Sequence, residues 1–271
     1  MNDAPAAPDD VVLDFQAIAH DFPDPVGGTR RVIGDVSFGV AAGQFTAVVG
    51  PSGCGKSTLL SFAAGLLSPS AGVVRHRGGR VDTVNRAVGF VPQQAGLFPW
   101  KTLRENVEFP LAVRHVGAAV RRDKTDAALA RVGLAGFADH YPHQLSGGMQ
   151  KRAAIARTLV YSPDVVLMDE PFGALDAQTR MVMQDDLQRL WLDQGTTVLF
   201  VTHDLVEAIL LADNVVLLGR QPTHVKARLR VDMPRPRDVF EPFRTPGFVD
   251  AYERLWSLFK SEVGLSVEVS A

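Results

Sequence analysis

From Phe45 to Leu67 the chain reads FTAVV, then GPSGCGKST, then an apolar run of helical character. A buried strand, a glycine loop and a helix in that order leave few folds open. Gly50, Gly55, Lys56 and Ser57 fit the pattern G-x-x-x-x-G-K-[ST], which composition alone produces in roughly one chain of this length in a hundred. In the loop Gly50-Pro51-Ser52-Gly53-Cys54-Gly55 the glycines let backbone N–H groups converge on a β-phosphate without Cβ clashes. The helix that Thr58 opens adds partial positive charge. Lys56 suits the β- and γ-phosphates as a point charge, and the Ser57 hydroxyl suits Mg²⁺. Cys54, the only cysteine, reads as a small side chain filling a tight loop.

Four further segments carry chemistry. Val165–Pro171 (VVLMDEP) is a buried strand ending in two acids. Asp169 is placed to hold Mg²⁺. Strand alternation sends Glu170 to the opposite side, where it serves as general base toward an attacking water. Leu199–Leu205 (LFVTHDL) is another buried strand. His203 lies at its end, where ligands gather in open α/β sheets, and suits a sensor of the γ-phosphate. Gln93, after the strand-like run Ala87–Val91, offers a neutral amide to Mg²⁺ and water. In Leu145–Gln150 (LSGGMQ) Ser146 reads as the N-cap of a helix running through Leu159, with Gly147 and Gly148 leaving N–H groups bare for an anion.

This ordered set, completed by Gly173–Asp176 (GALD), resembles the nucleotide-binding subunit of ABC transporters from about Val12 to Arg237. LSGGMQ is the diagnostic segment. The resemblance implies an α/β fold: a P-loop NTPase (RecA-like) core, an antiparallel β flank, and an α-helical subdomain over about residues 97–158 that carries the signature motif. It implies ATP and Mg²⁺ as cofactors and a homodimer with composite ATP sites. Ser146, Gly147 and Gly148 of one copy would contact the γ-phosphate held by the other, with Leu175 and Asp176 crossing the interface. Phe22 is the candidate for stacking on adenine. Within the family the chain looks most similar to the nitrate/sulfonate/taurine importer group, on Gly96–Trp100 (GLFPW), Asn106-Val107, Trp191 and Met233–Arg237 (MPRPR). That implies two membrane permease subunits, an external binding protein, and a place on the cytoplasmic side of a membrane.

Composition narrows the rest. A net charge of −2 disfavours a general nucleic-acid binder, and one cysteine excludes an intrachain disulfide framework and suits a reducing compartment. No apolar run approaches a bilayer span. Met1–Asp10, acidic and rich in Pro and Ala, reads as a disordered tail. Val11–Ile18 and Arg31–Val40 read as flank strands, Val73–Arg77 and Val81–Thr83 as a hairpin, and Ala118–Val132 as an amphipathic helix. Strands and helices alternating from Val165 to Leu218 predict parallel pairing. The ATPase domain is placed at 11–237 and a helical tail at 238–271, with Phe248, Tyr252, Leu255, Trp256 and Phe259 packing on the chain's own core. Met181 and Met183 read as helix packing, and Arg235 and Arg237 as solvated surface.

Three other functions compete. An exporter or lipid-transport ATPase would carry the same catalytic parts. A non-transport relative acting on DNA or ribosomes would carry long insertions or two cassettes, which are not visible here. A small-molecule kinase would not need LSGGMQ.

Overall fold

A computed structural model describes residues 11–25, 27–173 and 175–263. The expected tail at residues 1–10 lies outside them, as do Ala174 and the last eight residues of the predicted helical tail. The chain divides into two compact units: the described residues up to Arg86 together with those from Thr197 onward, and Ala87–Thr196.

The first unit is built on a sheet. Its strands are β1 (Val11–Pro23), β2 (Thr29–Ala41), β3 (Phe45–Val49), β4 (Ala71–His76), β5 (Gly79–Arg80), β8 (Thr197–Thr202), β9 (Asn214–Leu218) and β10 (Thr223–Arg230), in the order β5-β4-β1-β2-β10-β9-β3-β8. All five residues of β3 and all six of β8 are buried, which is why both read as unbroken apolar runs. β3 runs parallel to β8, with Phe45 opposite Val198 and Val49 opposite Thr202, and parallel to β9. β1, β2, β4 and β5 form the antiparallel flank expected from sequence. On it Phe15 and Phe38 stack at 4.5 Å. The predicted Val73–Thr83 hairpin is tighter than expected, because β4 and β5 close through Arg77-Gly78 with both residues at positive φ.

One strand escaped the sequence reading. β10 (THVKARLR) alternates charged residues with apolar ones, pairs antiparallel with β9 and joins β2 in parallel at Thr223 and His224. Around it lie α1 (Lys56–Ala63), α6 (Leu205–Leu211) and α7 (Phe248–Val263). On α7, Phe248 and Leu255 are fully buried, in keeping with core packing, but Trp256 is 37% exposed.

The reading of Arg235 and Arg237 as solvated surface is wrong. Arg237 is only 2% exposed. It donates to the carbonyls of Ile209 (2.6 Å), Leu210 (3.3 Å) and Ala212 (2.7 Å), while Arg235 donates to Leu211 O and Asp213 Oδ1, both at 2.7 Å. The last carbonyls of a helix have no partner within it, and here two guanidinium groups supply them. Burial pulls the Arg237 pKa down to about 10, against the opposing charge of Asp213, so the side chain is still cationic at neutral pH.

The second unit pairs β6 (Val88–Val91) with β7 (Val165–Asp169) in parallel, Val88 opposite Val165 and Val91 opposite Met168. Its helices are α2 (Leu103–Val113), α3 (Ala118–Arg131), α4 (Gly147–Leu159) and α5 (Ala177–Gln194). Leu103, Val107, Leu111, Leu129, Leu134, Ala153 and Ala156 are among the buried residues that pack α2, α3 and α4 together. A capping box starts α2: Thr102 N donates to Glu105 Oε2 at 2.7 Å and Glu105 N to Thr102 Oγ1 at 3.3 Å. On α5, Met183 is buried as expected and Met181 is 38% exposed. Among the described residues no helix is long and apolar enough to cross a membrane.

Candidate active site

In the first unit the glycine loop joins β3 to α1. Gly53 and Gly55 adopt φ of 76° and 95°, which other residues rarely reach. A Cβ on Gly50 would meet Cys54 Sγ at 2.9 Å, and one on Gly55 would meet Ile33 Cγ1 at 3.1 Å. The loop is therefore closed to side chains at these points. Two residues with no motif value hold it from outside. Thr223 Oγ1 donates to Cys54 O and Gln221 Nε2 to Gly53 O, each at 2.6 Å. A trans peptide points its N–H away from its carbonyl, so fixing Cys54 O also fixes the direction of the Gly55 N–H.

Lys56 is buried, and its Nζ donates to Gly50 O (2.9 Å) and Pro51 O (3.0 Å). Ser57 is exposed and Thr58 half-buried at the start of α1. The Cys54 thiol is buried, and desolvation raises its pKa; it fills space, as the sequence suggested.

Two more candidates belong to this unit. His203 is exposed between the end of β8 and the cap of α6. The backbone on either side is tied down: Asp204 N donates to Thr202 Oγ1 at 3.0 Å, and Asp204 Oδ1 accepts from Val206 N at 2.8 Å. Arg235 and Arg237 fix the other end of the same short helix. Phe22, half-buried near the end of β1, meets the His20 ring edge-on at 4.6 Å.

In the second unit β7 ends at Asp169, and Glu170 takes a positive φ of 42°. Strand alternation therefore stops before Glu170; a backbone turn that non-glycine residues seldom adopt sets the direction of its carboxylate. Such strain concentrates at functional sites. Gln93, which follows β6 after one residue, donates from Nε2 to Glu170 Oε2 at 3.4 Å. The two are thus brought together.

Ser146 caps α4 as the sequence predicts, accepting from Met149 N at 3.3 Å. The two glycines behind it differ. Nothing lies within 4 Å of a Cβ built on Gly147, whereas one on Gly148 would sit 2.7 Å from Thr179 Cγ2. Gly148 is needed for close packing of α4 on α5, a reason the motif alone does not reveal. Asp176 caps α5, accepting from Thr179 N at 3.0 Å, and this backbone bond holds its carboxyl below the usual range. Leu175, just before it, is buried.

A polyphosphate suits the donors of the first unit: a glycine-rich cradle, a lysine beside it, and the hydroxyl of Ser57, a hard oxygen donor for Mg²⁺. A P-loop nucleotide hydrolase is the class of protein this fold and loop define. The family model for ABC transporters matches residues 33–173, and the chain belongs to that family. It is an ABC-type ATPase that binds ATP with Mg²⁺. Among its relatives, the taurine import ATP-binding protein of Pelagibacter ubique is 37% identical over 253 residues, covering 91% of this chain and 96% of that protein. The nitrate import ATP-binding protein of Synechococcus elongatus is 42% identical over 246 residues, 89% of this chain and 37% of that protein. The ATP-binding cassette MJ0796, solved as a dimer in a post-hydrolysis state bound to ADP and Pi, matches with a TM-score of 0.72 at 30% identity, covering 81% of this chain and 98% of that one.

Proposed function

We propose that this ATPase drives uptake of a small anionic solute, such as a sulfonate, taurine or nitrate, from the cytoplasmic face of a membrane. Two copies close on ATP and separate after hydrolysis. Residues Gly50–Thr58 grip the phosphates, and Lys56 turns its ammonium from the Gly50 and Pro51 carbonyls toward them. Ser57, Asp169 and Gln93 are the Mg²⁺ ligands. Glu170 accepts the proton of the attacking water, His203 contacts the γ-phosphate, and Phe22 stacks on adenine. Ser146, Gly147 and Gly148 of one copy cap the phosphates held by the other, and Asp176 lies at the interface. The observation that carries this reading is the start of α4: a serine-capped helix whose Gly147 is exposed and has open space around it.

Work also needs a place to push. The Phe98 ring lies 5.6 Å from that of Trp100 and 4.8 Å from that of Phe109, centroid to centroid, and Trp100 is 71% exposed. Asn106, fully buried, fastens this segment by accepting from Phe98 N at 2.7 Å and donating to Phe98 O at 3.1 Å. An apolar patch held this firmly suits a short helix from each of two permease subunits, which in turn would receive solute from a periplasmic or extracellular binding protein. Nucleic acid has no part in this scheme.

Mixed dimers test the composite site. Ser146→Arg should keep nucleotide binding and abolish hydrolysis, Lys56→Ala should weaken binding and abolish hydrolysis, and the mixture should recover one working site. Absence of recovery in verified mixed dimers removes the shared geometry. Copurification with a permease, followed by ATP-dependent uptake of taurine or nitrate into vesicles, tests the transport reading; a partnered complex that only expels solute overturns import.

A further inference from the structure

Helix α4 does more than present Ser146 and Gly147. Two of its side chains reach the backbone carbonyls of the segment that follows β6. Lys151 Nζ donates to Pro92 O at 3.4 Å and to Gln93 O at closer range. Arg157 donates to Ala95 O at 3.0 Å and Gly96 O at 2.8 Å. Arg157 braces the far end of the segment, and Lys151 holds its start, at the residue whose side chain meets Glu170.

Lys151 is only 5% exposed. Removing an ammonium from water is costly unless it is partnered, and lysines on a helix normally keep the charge in solvent. Desolvation pulls the Lys151 pKa down, with the charge of Asp169 acting against it. Its partners are two carbonyls and a nearby carboxylate, all within the same unit. Gly147 lies one helical turn before it, so residues four apart on a single helix present the open cap and the Gln93 contact.

We propose that Lys151 is a positioning residue for ATP hydrolysis: by holding the Gln93 carbonyl it sets the backbone from which the Gln93 amide reaches Glu170, and it ties that placement to the Ser146–Gly148 end of α4. This rests on the reading of Gln93 and Glu170 as parts of the hydrolytic site. A lysine that only stabilised the unit would have no reason to act through Gln93.

The test is a double-mutant cycle. Lys151→Met should lower kcat by about 10–100-fold, the usual effect of losing a group that orients a working residue, with KM for ATP changed by less than about twofold. Lys151→Gln, which keeps a donor, should recover part of the loss. In a Gln93→Ala background Lys151→Met should cost nothing further. Hydrogen exchange of the backbone amides of residues 90–96 should accelerate in Lys151→Met while β7 stays protected. An equal kcat loss with and without Gln93 overturns the proposal and leaves the hydrolytic site standing. Wild-type turnover in Gln93→Ala removes both the proposal and the role given to Gln93. Should Lys151→Met not fold, Lys151→Gln carries the same cycle.

Discussion

Lys56 and Lys151 are near twins in two different units. Both are buried, and each places its ammonium on two successive backbone carbonyls, those of Gly50 and Pro51 in one case and of Pro92 and Gln93 in the other. They differ in what surrounds the carbonyls. Around Lys56 the loop is closed to side chains and has the N–H groups to receive an anion, so a phosphate can compete for the ammonium. Around Lys151 the competing charge is the fixed carboxylate of Asp169. On the proposed reading, the same contact serves an exchangeable grip in the first unit and a permanent brace in the second. One lysine should govern binding and the other turnover.

The largest effect should fall on turnover in the unit that holds Lys151. Glu170→Gln is expected to lower kcat by about 10²–10⁴-fold, the worth of a general base, while ATP affinity stays near wild type and an ATP-bound dimer accumulates. Single-turnover kinetics and size-exclusion chromatography with ATP check this; near-normal hydrolysis would strip Glu170 of its role and blur the division between the units. In the other unit, Lys56→Met should weaken ATP binding by about 10–10²-fold, as loss of one charge-assisted hydrogen bond does. Equilibrium titration with labelled ATP reads it, and unchanged affinity would show that Lys56 is as permanent a brace as Lys151. The smallest effect sharpens the contrast within the glycine pair. Gly148→Ala should destabilise the protein by about 1–3 kcal/mol through overpacking against Thr179, whereas Gly147→Ala should leave the melting temperature nearly unchanged. Equal melting temperatures would mean that α5 gives way to the added methyl.

The difference between the lysines also marks where sequence reasoning stops. The loop that holds Lys56 was legible because its backbone demands glycine at fixed positions, and that leaves a spaced pattern of residue types. The buried strands β3 and β8 were legible for a similar reason, since burial on both faces demands unbroken apolar runs. Lys151 was not legible, because its partners are backbone carbonyls and any sequence has those. The same blindness covers Thr223 and Gln221, which hold the phosphate loop, and Arg235 and Arg237, which looked like surface residues and instead close the end of α6. β10 was hidden by its charges. The direction of Glu170 was not legible, because a positive φ replaces the strand alternation on which that reading relied. Where a side chain answers to the main chain, only the fold reveals it.

The buried thiol of Cys54 has a practical outcome. Buried in its own loop, with desolvation pushing its pKa up, the chain's one sulfhydryl is a poor target for maleimides and peroxide. Turnover can then be followed without added reductant, and a cysteine introduced at an exposed position would accept a fluorophore or spin probe selectively, with the native sulfur left as a silent bystander.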